Sequence, residues 1–463
     1  MQTSLFAEIV EKYFRLVIGK ITEKFNGNKT EPVLLHKSML TEEYSADLSW
    51  GSTELNHSIV AADVVSLDSS LPLKKRGKIG NASGTIAKIG VKFRKGEKQI
   101  TNINIMVARG ADEATVASKV FDDAPKAVKA VDVRKEIMFE QGLSTGQVLV
   151  TDASDDDSTN DGTGVRADFG YKDENKFKAT VAPWGNKVAR PLDDLRQMFD
   201  KANEDSNVIT QVYITKKYFN FMRNCQQSKL LTATFENQVI TSLTLLPVPS
   251  RRAFLDALAD EFGATFHIVD SVFKVENPDG STTPVRPWVE ANIIGLPSEN
   301  CGRLVYGTLA EETNPVSNVS YQKSGSHILV SKYSKTDPLE EFTAAQALCM
   351  PVIDGADSIY LLTADEVATG ALVVTNDDLN ENNELSVAKT ATTEVLTVSY
   401  KGDEDLLSVE STESWCVAKK GDGQVTLKIA ANSAASAPAR EATVTISDGY
   451  NTVEITVQQA ANS

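Results

Sequence analysis

The chain has 463 residues, 41% of them hydrophobic, with 63 acidic against 47 basic side chains and a formal net charge of -16. At about 150 residues per domain this is enough chain for two to four units with real cores, and an acidic balance argues against a polyanion-binding surface over the whole molecule. No uninterrupted apolar run approaches the roughly 20 residues of a membrane span, and Cys225, Cys301, Cys349 and Cys416 are scattered without metal-ligand spacing, as expected of reduced, mostly buried thiols.

Phe6, Ile9, Val10, Tyr13, Phe14, Val17, Ile18 and Ile21 recur at helical spacing and predict an amphipathic helix ending near Asn26-Gly27-Asn28. Glu8 and Glu11 interrupt its apolar pattern and no small-residue cleavage site follows, so it is not a secretory signal and the protein is expected to begin in a cytoplasm. An extended arm with little periodicity continues to about residue 65.

Leu71 to Val107 reverses the sign of the chain. Lys74, Lys75, Arg76, Lys78, Lys88, Lys92, Arg94, Lys95 and Lys98 stand there against the single acid Glu97. Apolar residues alternate at Ile86, Ile89, Val91 and Phe93 and again at Ile100, Ile103, Ile105 and Val107, with turn chemistry at Lys95-Gly96-Glu97, which predicts two antiparallel strands. An isolated hairpin is marginal in water, so this basic ribbon needs a partner surface. Single-strand nucleic-acid binders interleave aromatics with their cations; here Phe93 alone does so.

Asp112 to Gln141 reads as a helix that Pro125 kinks or divides, and Gln147 begins a strand. The acids Asp152, Asp155, Asp156, Asp157 and Asp161 fall in a polar stretch that lacks the glycine and terminal glutamate of a calcium loop, so it reads as solvated. From Pro191 the pattern is mixed: helices at Pro191 to Phe199, Lys217 to Cys225, Arg251 to Phe262 and Leu339 to Leu348, a strand at Val208 to Thr215, and a hairpin partner at Thr265 to Val275. Beyond Ala371, runs such as Glu394 to Tyr400, Val425 to Ile429, Ala442 to Ile446 and Thr452 to Val457 alternate apolar and polar residues between turns, the cadence of a β-sandwich of about 85 to 90 residues.

Catalytic signatures are missing. There is no phosphate-binding glycine loop opening a helix, no nucleophile elbow, and His36, His57, His267 and His327 stand beside no nucleophile or second ligand. Asp193-Asp194 is explained as helix N-terminal charge and Glu311-Glu312 as a solvated loop. The residues give no catalytic, cofactor-binding or metal-ligating set.

The order of parts, namely N-terminal arm, long hairpin, long helix, α/β region and return strand, resembles the major capsid protein of tailed bacteriophages with the Hong Kong 97-type shell fold, in its lambda-like branch. The stretches that carry the resemblance, over roughly residues 1 to 370, are Arg134-Lys-Glu-Ile-Met-Phe-Glu-Gln-Gly-Leu143 with Gly146-Gln-Val, Val165-Arg-Ala-Asp-Phe-Gly170, Trp184 with Pro191-Leu-Asp-Asp-Leu195, Gly302-Arg-Leu-Val-Tyr-Gly307, Lys335-Thr-Asp-Pro338, and Pro351-Val-Ile353 with Asp357-Ser-Ile-Tyr360. The tail resembles a bacterial immunoglobulin-like module of the BACON type, through Glu413-Ser-Trp-Cys-Val417 and Val453-Glu-Ile-Thr-Val-Gln-Gln459.

The resemblance implies an α+β capsid fold followed by an all-β sandwich. Its parts would be an arm at 1–59, an extended loop at 60–110 lying across a neighbouring subunit, a peripheral domain with a spine helix at 111–185 and 345–368, an axial domain at 186–344, and an immunoglobulin-like domain at 372–463. It further implies hexamers and pentamers in a shell in the virion, assembled in a bacterial host, with scaffold and portal proteins as partners and DNA enclosed without sequence-specific contacts. A phage of gut Bacteroidetes follows by association from the tail. Trp415 is a candidate sugar platform, although a sandwich-core tryptophan is the commoner case. Two rival readings are a glycan-binding or adhesive surface protein and an encapsulin-like compartment shell.

Overall fold

The computed structural model describes residues 2–25, 34–51, 83–149, 166–238, 246–276, 280–368, 372–380, 382–400 and 406–462. The N-terminal helix is α1, Ala7–Phe25. It buries Val10, Phe14 and Ile18, one face at four-residue spacing that Phe6 just before the helix extends. A one-turn helix α2, His36–Met39, feeds strand β1, Leu40–Tyr44, so this part of the arm is built into a sheet rather than irregular.

The basic segment departs from the predicted hairpin in two ways. Strand β2, Lys88–Gly96, does not stand alone; it is paired over its whole length with a later strand. The chain then enters a helix, α3, Glu97–Ala108, where alternation predicts a second strand. The Gly96 N–H donates to Gln99 Oε1 at 3.2 Å and Glu97 lies in the first turn, a helix-start arrangement that outweighs the apparent period of two. Ile100 and Ile103, one turn apart, are buried, whereas Ile105 and Val107 are exposed.

The long helix predicted from Asp112 is divided into α4, Glu113–Val120, and α5, Asp123–Thr145. Pro125 sits in the first turn of α5, where its missing N–H costs no hydrogen bond. Gly146, with φ 77°, ends α5 by donating its N–H to Gly142 O at 2.7 Å. A Cβ on Gly142 would lie 2.9 Å from Phe169 and Val148, so the last turn has room only for glycine.

Next come β3, Lys176–Ala179; α6, Pro191–Glu204; β4, Gln211–Thr215; α7, Lys216–Asn224; α8, Gln226–Phe235; α9, Arg251–Phe262; β5, Thr265–Val269; and β6, Asn292–Leu296. Then follow β7, Gly302–Gly307; β8, Ser320–Ser324; β9, Ile328–Thr336; β10, Leu339–Ile353; and β11, Tyr360–Val367. One sheet has the order β1-β7-β10-β9-β8, with β2 also paired to β10; a second has the order β3-β11-β6-β4-β5. The predicted partner at Thr265 to Val275 is split: β5 pairs in parallel with β4, and Phe273–Glu276 pairs with Thr282–Val285.

The helix predicted over Leu339 to Leu348 is the first part of β10. Its Ala, Glu and Leu favour a helix, but its backbone is hydrogen-bonded on both sides, to β9 from Leu339 to Gln346 and to β2 from Glu340 to Leu348. Ala345 and Ala347 are fully buried against this packed layer. Tertiary pairing overrides a weak local preference.

The tail is the predicted sandwich. Its strands are β12, Leu372–Thr375; β13, Glu384–Val387; β14, Thr392–Tyr400; β15, Ser408–Ser411; β16, Cys416–Gly421; β17, Gln424–Ile429; β18, Arg440–Ser447; and β19, Thr452–Gln459. They form sheets ordered β12-β14-β17-β16 and β13-β19-β18-β15. Three apolar cores result: one where α1 and α5 meet the first sheet, one around the second sheet, and one inside the sandwich. The sandwich touches the body where Asn451 Nδ2 donates to Val181 O at 3.1 Å.

Candidate assembly surface

Lys74, Lys75, Arg76 and Lys78 lie outside the described residues. The other five predicted cations do not share one environment. Lys88, Lys92 and Arg94 are exposed on alternate positions of β2, and Lys98 is exposed in the first turn of α3. Arg94 Nη1 lies 2.9 Å from Glu340 Oε1, and Lys92 Nζ sits 5.2 Å from the centre of the Phe342 ring, so both are tethered to β10. Lys95 is buried, pairing with Asp122 and with Asp123 at the start of α5. Burial would raise the Asp123 carboxyl, but hydrogen bonds from Lys95 and Lys126 hold it below the usual range. The basic strand is therefore rooted in the body through Lys95 and presents its remaining charges outward.

The N-terminus is clasped to the same sheet. Gln2 and Ser334 exchange backbone hydrogen bonds of 3.0 and 2.9 Å, and Ser334 Oγ donates to Thr3 O at 2.7 Å. Glu341, fully buried on β10, accepts from Ser4 Oγ and, at 3.1 Å, from the Leu5 N–H. Lys332 Nζ lies 3.4 Å from Glu341, and burial pushes that ammonium below its ordinary range. Phe14 of α1 stacks on Phe121 with ring centres 5.7 Å apart.

A second polar cluster joins the arm to α5. Glu136 accepts from the Leu35 N–H at 2.7 Å, the His36 N–H at 3.0 Å and His36 Nδ1 at 2.5 Å. Asp132 accepts from Lys37 at 2.8 Å and pairs with Lys135 at 2.6 Å, while Lys135 lies 2.9 Å from His327 Nε2. Burial, then the neighbouring Lys135, pushes His327 down to about 3, so its ring is neutral at physiological pH. His36, Lys37, Asp132, Lys135 and His327 line a cavity of about 240 Å³.

The stretches behind the capsid resemblance coincide with such structural joints. Arg303 forks onto Asp354 at 2.6 and 2.9 Å and reaches Glu43 at 2.6 Å and Gly51 O at 2.7 Å, tying β7 to β1 and to the chain after β10. Gly302 packs against backbone, where a Cβ would meet Val352 O at 2.1 Å. Trp184 Nε1 donates to Asp194 at 2.7 Å, and Asp194 also accepts from Thr180. The buried charges of α5 escaped the sequence reading. Their signal is Lys135, Glu136 and Glu140 interleaved with Met138 and Phe139 inside one apolar helix.

Trp415 is half-buried against the sandwich core. The Arg440 guanidinium lies 4.2 Å from its ring centre and is itself fixed by Gln459 and Ala430 O, each at 2.7 Å. One face of the ring is thus already covered. The four cysteines are free. Among the described residues no group of His, Cys, Asp and Glu side chains is placed to hold a metal, and no helix is long and apolar enough to cross a membrane. The acidic stretch Asp152 to Asp161 and His57 lie outside the described residues.

Over residues 20–364 the chain matches the family described as phage major capsid protein E, and over 403–460 the BACON binding-domain family. No curated protein matches. Among solved structures, a prophage capsid protein from E. coli CFT073 is 12% identical and superposes over 80% of this chain and all of its own, with a TM-score of 0.45. The asymmetric unit of the bacteriophage PhiM1 mature capsid is 8% identical over 74% of this chain and 90% of its own, with a TM-score of 0.37. A Bacteroides thetaiotaomicron protein is 17% identical over 21% of this chain and 93% of its own, with a TM-score of 0.18.

Proposed function

The chain belongs to the phage major capsid protein E family, and on that premise we propose that it builds an icosahedral shell of hexamers and pentamers around the phage genome. The family match over residues 20–364 is the observation that carries this reading. Its role is structural rather than catalytic. Within each capsomer the part of the predicted extended loop that precedes β2, from about residue 60, lies across a neighbouring subunit. Its cations aid docking and register against an acidic partner more than raw affinity, and the apolar side chains supply contact area. The pairing of β2 with β10 along its whole length supports this, since a strand fixed in the body can hold the loop that precedes it in a defined direction. Scaffold and portal proteins complete assembly in the host cytoplasm, and DNA is enclosed without sequence readout. The sandwich projects from the outer surface, where it leaves the subunit contacts open.

Reversing Lys74, Lys75 and Arg76 together to glutamate tests the loop's role. The variant is expected to stay folded by circular dichroism and to fail to form capsomers in sedimentation. Normal particles from it would remove the loop from the account.

A further inference from the structure

We propose that the sandwiches of neighbouring subunits pack side by side, the β12-β14-β17-β16 face of one against the β13-β19-β18-β15 face of the next. The inference rests on the shell reading and adds to it a contact between the displayed domains. Inward residues such as Val374, Leu396, Leu427 and Cys416 fix the alternation of the first sheet. Val373, Val395, Val417, Lys419 and Lys428 are thereby turned outward and are exposed. Thr393, Thr397 and Thr426 share the face with them, and no outward position of these four strands carries an acid.

The second sheet is the reverse. Inward Leu385, Val444, Ile446 and Ile455 put Glu384 of β13, Glu410 of β15, Glu441 of β18 and Glu454 of β19 outward. No outward position there holds a cation, since Arg440 is turned onto Trp415. Among the described residues Lys419, Lys428, Glu441 and Glu454 form no ion pair within the subunit. Each copy therefore carries both halves of a complementary contact, on opposite sides of a core about 10 Å thick, where they cannot meet each other.

Exposed apolar residues divide in the same way. Leu406 and Tyr450 are exposed at the end where the sandwich meets the body: a Cβ on Gly449 would lie 3.4 Å from Val188 and 3.6 Å from Leu406, and Asn451 donates to Val181 O. Val373, Val395 and Val417, the exposed large apolar side chains on the described strands of the sandwich, all belong to the acid-free face. A contact between unlike faces repeats head to tail and closes in a cyclic capsomer. An anionic polymer would answer the lysines but leave the acid face without a partner. Exposed charge pairs contribute little affinity each, so they set register and orientation. The contact forms where the shell already holds the sandwiches at high effective concentration.

Carbodiimide, which joins a carboxylate to an amine in contact, tests this on full-length protein mixed before assembly from isotope-labelled and unlabelled batches. Peptides joining Lys419 or Lys428 to Glu441 or Glu454 and carrying both labels are expected. They should disappear in about 1 M salt, where charges are screened beyond about 3 Å. Lys419→Glu with Lys428→Glu should abolish them. Adding Glu441→Lys and Glu454→Lys should restore them with amine and carboxylate exchanged, which a misfolded sandwich would not do. Shells that form without these cross-links, or a swapped variant that stays uncross-linked, overturn the proposal and leave the shell reading standing. Cross-links from a chain that builds no shell sustain the sandwich contact and overturn the shell reading. The absence of both shells and cross-links overturns both.

Discussion

In the body of the protein α5 alone buries Asp132, Lys135, Glu136 and Glu140, and Lys332 and Glu341 are buried on adjacent strands. In the sandwich the side chains between the sheets are aliphatic, with Cys416, and its buried polar residues Asn432, Asp448 and Gln459 sit at strand ends and loops. The sandwich thus draws its stability from apolar area, a non-directional term tolerant of small changes. The body adds buried charges that contribute little net stability while matched but are costly when one partner is lost. They join segments far apart in sequence, as Ser4 with Glu341 and His36 with Glu136, and so fix the register in which arm, helix and sheet meet.

The contrast can be broken most severely at Gly302. A side chain there meets Val352 O, so Gly302→Val is expected to abolish the folded body while the sandwich still melts as a unit, visible as the loss of one of two calorimetric transitions. Lys332→Met leaves Glu341 buried without its cation and should cost the body about 3–5 kcal/mol in denaturant unfolding. Replacing Glu341 by leucine as well should return part of that loss, which would identify the unpaired charge as the cause. Leu427→Ala in the sandwich core should cost about 2–5 kcal/mol, confined to the sandwich transition. The smallest effect is expected at Arg440→Ala, about 0.5–1 kcal/mol from loss of its stacking on Trp415. If the uncovered ring then binds sugars on a glycan array, the guanidinium is what closes that platform.

Elements with one strong signal were legible in the sequence. The period of α1, the proline-led start of α6 and the alternation of β14, β17, β18 and β19 all correspond to what formed. Where two signals compete, long-range context decides. Ile100, Ile103, Ile105 and Val107 satisfy both strand and helix spacing, and the Gly96–Gln99 cap settles the matter. Leu339 to Leu348 carries helix-favouring residues but is held by strands on both sides, which no local window reveals. Of the candidate surface, the run of cations was readable, and the alternation puts Lys95 on the inward face of β2 with Ile89, Val91 and Phe93 and puts Arg94 on the other, but nothing in it says that a lysine there, unlike the exposed Lys98, is buried. That difference depends on Asp122 and Asp123 arriving from the start of α5.

Electron microscopy of the purified full-length protein beside a version ending at Thr369 tests the shell reading most directly. The account predicts capsomers or closed shells from both, with surface knobs on the full-length particles alone. Monomers from both, even with candidate scaffold protein added, would contradict it.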